Sequence, residues 1–163
     1  MSESVTDIVH VDRSVPPVYP GLVRDVLHPE LELTGPADYL LNNLTRYRYG
    51  AQKTYGQELG TTIYKHLKET NRLPSCLGLA DLQTIQKFDL DVFRRYFAGE
   101  EVPGWKSAVR DLNGNRVVPY LIERHVGVVL EWGWFGGRWG SNGPAFRFAL
   151  YVRASSSKTL LAL

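Results

Sequence analysis

The sequence predicts an α+β protein built from an extended N-terminal arm, a helical middle and a C-terminal antiparallel sheet of three to four strands. Three observations carry that expectation. Pro16, Pro17, Pro20 and Pro29 crowd residues 1–35 and forbid a long helix there. Between residues 36 and 99 apolar side chains recur at steps of three and four, the period of a helix with one buried face. After Pro103 the step shortens to two, and Asn113-Gly114 supplies the positive φ angles of a tight hairpin turn.

Taken in order, residues 1–35 read as an arm with two short alternating pieces, Val9–Val11 and Leu31–Leu33, lying as a clasp on something else. A first helix opens at Thr34 or Gly35 with Pro36 near its first position. It places Ala37, Leu40, Leu41, Leu44 and Tyr47 on one face and stops at Gly50. A second runs from about Thr54, with Tyr55, Leu59, Ile63 and Leu67 in one stripe and Lys65 and Lys68 near its C-terminal end, where cations suit the dipole. Asn71 and Pro74 end it. A short segment around Leu79, Leu82 and Ile85 precedes a helix capped by Asp89, with Leu90, Phe93 and Phe97 inward and Gly99 past its end.

In the last third, Trp105–Asp111 and Arg116–Glu123 flank the Asn-Gly turn, and Pro119 requires that its strand sit at a sheet edge or begin after it. The clearest strand is His125–Phe135, with Val126, Val128, Leu130, Trp132 and Trp134 on one face; Ala145–Arg153 is its expected partner. The domain reading is therefore an arm over 1–35, a single α+β domain over 36–153 (helices 36–99, sheet 104–153) and a flexible tail over 154–163 that begins near Ser155-Ser156-Ser157.

Composition narrows the function classes. A hydrophobic fraction of 44% and a charged fraction of 22% suit a globular domain and argue against disorder. The lone Cys76 can form neither an internal disulfide nor a multi-thiolate metal site, and its Ser-Cys-Leu-Gly surroundings suit a small buried side chain. His10, His28, His66 and His125 lack ligand-like spacing, so no metal and no cofactor is expected. No apolar run is long enough to span a bilayer, and the first residues have neither the basic n-region nor the apolar h-region of a signal peptide, so none is expected. The expected location is the cytoplasm, or a virion or tail-like particle assembled there. The net charge of +2 hides a gradient, from two basic and six acidic residues over 1–35 to eight basic and three acidic over 104–163. Such asymmetry bears on partners and association.

Two places could carry chemistry. The polar face of the last two strands gathers His125, Glu131, Arg147, Tyr151 and Arg153, which reads either as an acid–base site or as ordinary cross-strand pairs such as Glu131 with Arg147. The glycine-rich loop over 133–144 sets Arg138 beside Trp139. It reads as a finger for a protein partner, as a nucleic-acid contact in which Trp139 stacks a base while Arg138, Arg147 and Arg153 meet phosphates, or as a hairpin end with Trp139 folded back on the sheet. The candidate binding residues are Arg138, Trp139, Arg147, Tyr151 and Arg153; no catalytic residue is assigned.

Several fragments resemble the contractile-tail baseplate wedge family shared by phages and type VI secretion systems. Leu40-Leu41-Asn42-Asn43-Leu44-Thr45-Arg46 resembles that family's Leu-Leu-Asn-Thr-Arg, and Leu77-Gly78-Leu79-Ala80-Asp81-Leu82 resembles its Tyr-Gly-Leu-Pro-Asp-Leu. Tyr55-Gly56-Gln57-Glu58-Leu59 is a rival match to the phage members' Phe-Gly-x-Asp-Leu, and Phe146-Arg147-Phe148-Ala149-Leu150 looks like the family's last strand. The likeness runs from about residue 38 to residue 152, and it departs from the family in lacking the Glu-Pro-Arg before the first strand of the pair. The resemblance implies a non-enzymatic task, clamping neighbouring baseplate proteins. Glycoside hydrolysis would need two convergent carboxylates, whereas Glu131 is the one acid of the strand constellation. Other protein subunits of a larger assembly are thus the expected partners, with nucleic acid as the alternative and no small-molecule substrate.

Overall fold

In the computed structural model, residues 7–149 are described; Tyr151, Arg153 and the 154–163 tail lie outside them. Strands are spread along the whole described chain and only three α-helices interrupt them. The fold is a mixed α+β one rich in sheet, which corrects the expected succession of arm, helical middle and C-terminal sheet.

The N-terminal segment is woven into the body. Strand β1 (Ile8–His10) pairs with β3 (Asp38–Leu40), and β2 (Val23–Val26) pairs with β7 (Val109–Asp111) through a bulge between Val23 and Asp25. Leu31–Leu33 is no strand: Pro29 opens a 3-10 turn over Pro29–Leu33 that rotates Glu32 inward.

The expected first helix is also absent. Residues 38–47 form β3, a 3-10 turn at Leu41–Asn43 and β4 (Thr45–Tyr47), which pairs with β11 (Ala145–Arg147). Leu41 and Leu44 are buried, as a helix would also require, so the periodicity was compatible with both states. Asn42, Asn43, Thr45 and Tyr47 favour turn and strand, and the strand partners lie in distant parts of the chain.

The second helix starts later than its stripe suggested. Tyr55 takes a left-handed φ of 63° at the end of a 3-10 turn (Gly50–Thr54) and is fully exposed, and a short β5 (Glu58–Leu59) leads into α1 (Gly60–Glu69). Helices α2 (Leu79–Gln86) and α3 (Leu90–Phe97) follow, the latter beginning after Asp89, whose side chain makes no capping hydrogen bond, and followed by Gly99 at φ 74°.

The main sheet is built on β8 (Arg116–Arg124). One edge of β8 carries β9 (Gly127–Trp134); the other carries β7 and then β6 (Val102–Pro103), with β2 outermost. The Asn113-Gly114 turn joins β7 to β8, with Gly114 at φ 84°. Alternation along β8 sends Leu121 to one face and Val118 to the other. Leu121 packs with Leu82, Ile85, Phe93 and Phe97 of α2 and α3, together with Val9, Phe146 and Phe148. Val118 packs with Ile63 and Leu67 of α1 and with Trp105, Phe135 and Trp139. Two cores therefore sandwich the sheet, each closed by chain from both ends of the described region. Pro119 sits inside β8, where it interrupts donation without placing the strand at the edge.

Candidate functional site

The expected constellation on the last strands does not assemble. Strand β9 pairs with β8 rather than with Ala145–Arg153, so Glu131 lies opposite Tyr120 and takes hydrogen bonds from Tyr120 Oη (2.8 Å) and from Arg124 Nη2 (2.7 Å). Those donors hold its carboxyl below the usual range. Arg147 is on β11, where its Nε donates to Ser75 Oγ at 2.7 Å and its guanidinium sits over the Tyr47 ring. His125 is exposed in the β8–β9 turn. Tyr151 and Arg153 fall outside the described residues.

The glycine-rich loop folds back. Arg138–Trp139 forms β10, which pairs with β5, and Trp139 is only 4% exposed. Its ring meets Trp105 at 5.6 Å and the edge of Tyr120 at 5.2 Å between centroids. Gly133 has to be glycine here, because a Cβ would lie 2.9 Å from Trp139 Cζ2. Arg138 remains exposed, and the aromatic that this loop does present is Trp134, 60% exposed. The cavity beside them, lined by Glu101, Tyr120, Trp134 and Arg138 among others, holds about 130 Å³, too little for a drug-sized ligand.

Cys76 is fully buried, and burial pushes its thiol up to about 12, which leaves it inert as a nucleophile. Among the described residues no group of three or more His, Cys, Asp or Glu side chains converges as a metal site, and no helix is long and apolar enough to cross a membrane.

The strongest convergence of polar side chains is one the sequence did not announce. Asp81 at the start of α2 accepts from Arg13 Nη2 (2.8 Å) and Nη1 (3.2 Å), from Tyr39 Oη (2.7 Å) and from its own helix at Gly78 N–H (2.9 Å). Ser107 Oγ donates to Glu32 Oε2 at 2.8 Å and accepts from Leu79 N–H at 2.6 Å, so the first two amides of α2 are both capped. Tyr19 donates to the same Glu32 carboxylate, and Lys106 Nζ donates to Thr34 O at 3.0 Å. Glu32, Asp81, Lys106 and Ser107 are all buried, and Arg13 nearly so. The two acids and two cations balance.

The chain matches no family model, no curated protein and no solved structure. What this network does must therefore come from its geometry. Arg13, Tyr19, Glu32, Thr34 and Tyr39 all lie in the N-terminal segment and bond to Asp81 of α2, to the Trp105–Ser107 turn or to each other, so the cluster fastens that segment to the body. Its carboxylates are held by hydrogen-bond donors from protein groups. Asp81, an acidic residue in the first turn after Gly78 with Leu82 and Ile85 following at helical spacing, carried a legible helix-start signal. Glu32 and Lys106 carried none, since their partners are 75 and 72 residues away.

Burial raises the Glu32 carboxyl above the usual range, against the pull of Tyr19, Ser107 and the Lys106 charge. A folded-state value above the unfolded one gives a contribution that is full below the unfolded value and is lost as pH rises through the folded value. Glu32→Gln removes that loss. Urea unfolding at several pH values is expected to show the variant gaining on the wild type as pH rises from about 4 through the mildly acidic range; a constant difference would contradict it.

Proposed function

We propose that the chain is a non-enzymatic assembly protein, a component of a virion or contractile-tail baseplate that clamps neighbouring subunits. The observation that carries this reading is the loop over residues 14–22. It is stiffened by Pro16, Pro17 and Pro20 and anchored at both ends, by Arg13 on Asp81 and by Tyr19 on Glu32, yet it exposes Val15 and, at 84%, Val18. At its far end Leu22 O accepts from Leu112 N–H, which brings the exposed Leu22 and Leu112 side by side. Apolar side chains fixed at the surface by a buried charged network suit a protein interface better than a catalytic cleft. The partial likeness to the baseplate wedge family over residues 38–152 points in the same direction.

The test uses the native particle. Gradient-purified particles are expected to contain the chain at a fixed stoichiometry, and Val18→Asp with Leu112→Asp is expected to block incorporation while leaving urea unfolding unchanged. Normal incorporation of that double variant, or a chain found only free of particles, would overturn the reading.

A further inference from the structure

We propose that the cavity between α1 and the start of β8 is a binding site for a phosphomonoester anion. It is a half-open pocket of about 340 Å³ lined by Thr61, Tyr64, Lys65, Lys68, Glu69 and Arg116. Strand register sets Arg116 directly opposite Arg110. Like charges in that position repel, and neither arginine has an acidic partner within 4.0 Å among the described residues. Arg110 donates to Gly114 O, and among the described residues the Arg116 side chain makes no hydrogen bond. The Arg116 guanidinium is nonetheless held in place, 4.9 Å above the Phe135 ring and 5.9 Å from that of Tyr64. Lys68 Nζ lies 5.9 Å from the same Tyr64 ring and is also unpaired among the described residues.

Two acids temper this charge. Glu69 is 4.0 Å from Lys65, and Glu30 is 3.8 Å from His28, whose Nε2 meets the Tyr64 hydroxyl. Both positive arginine fields reach the Tyr64 phenol and pull it down, against the larger upward push of burial. Lys65 with Glu69 cancels, which leaves Lys68 and Arg116 lining a half-open pocket beside the Tyr64 ring, with Arg110 on the neighbouring strand next to Arg116. Forked guanidinium donors match the oxygens of a phosphate, and an ammonium beside them adds a point charge. The two unpaired cations that line the pocket, Lys68 and Arg116, flank one ring and form no extended basic track, which favours a compact monoester over a polynucleotide backbone. The site is separate from the 14–22 loop, so it stands or falls independently of the assembly reading.

The test is an amide NMR titration of the full chain with inorganic phosphate, at ionic strength held constant with sodium chloride. Saturable shifts are expected at residues 61–69, 110 and 116. Arg116→Gln and Lys68→Gln are each expected to weaken binding about tenfold, and Arg124→Gln, in the distant Glu131 pair, to leave it unchanged. Lys68 is exposed, so its variant keeps the test informative if Arg116→Gln fails to fold. Shifts that never saturate, or that survive both variants, would overturn the proposal. So would a thymidine dodecamer that binds these residues and is not displaced by phosphate.

Discussion

Asp81→Ala is expected to lower the free energy of unfolding by about 3–5 kcal/mol, because removing one member of a buried ion pair leaves the other charge without compensation. Asp81 is completely buried and accepts four hydrogen bonds, and the Arg13 side chain that faces it is 10% exposed. The loss would reach both ends of the contact. The guanidinium of Arg13 would keep only Pro36 O as acceptor, and the Gly78 amide at the start of α2 would lose its cap. Urea denaturation measures the first effect. Limited proteolysis measures the second, with new cleavage expected over residues 13–22 as the N-terminal segment loosens. Adding Arg13→Met to Asp81→Ala is expected to recover part of the stability, since the orphaned charge is then gone. A single variant that loses less than about 1 kcal/mol, the range of surface pairs, would show that the pair is solvated in the folded protein.

The same residues explain what the sequence disclosed and what it hid. Helix α3 was legible because Asp89, Phe93, Phe97 and Gly99 are local signals within one short stretch, and the β7–β8 hairpin because Asn113-Gly114 needs no distant partner. Residues 38–47 were misread because their apolar spacing fits a helix while β1 and β11, far away in the chain, supply hydrogen-bond partners that make two short strands the better solution. The pairing of β9 was misassigned for a related reason: adjacent hairpin pairing with β8 competes with pairing to Ala145–Arg153, and alternation alone does not rank the two. Of the candidate site, Arg138 is exposed and Arg147 is held by Ser75 and the Tyr47 ring, while the network of Arg13, Glu32, Asp81 and Lys106 had no motif. A buried charge looks in sequence like any exposed one, and only the fold shows which are desolvated.

Trp139→Ala is expected to cost about 3–5 kcal/mol of stability, the range for truncating a buried tryptophan. The indole fills a slot between α1 and β9: a Cβ on Gly60 would stand 3.1 Å from its Nε1, and one on Gly133 would stand 2.9 Å from its Cζ2. The ring excludes a Cβ at Gly133, while at Gly60 the Phe135 carbonyl at 2.8 Å adds to it, so removal of the ring opens a void lined by Trp105, Tyr120 and the α1 terminus that neighbouring backbone cannot readily close. The adjacent Arg138 and the exposed Trp134 give the contrast, since replacing either by alanine is expected to change stability by less than about 0.5 kcal/mol. Urea unfolding of the three variants separates a core residue from a recognition finger. If Trp139→Ala keeps full stability and instead abolishes binding to a partner, the tryptophan reaches outward and the packing described for this loop is wrong.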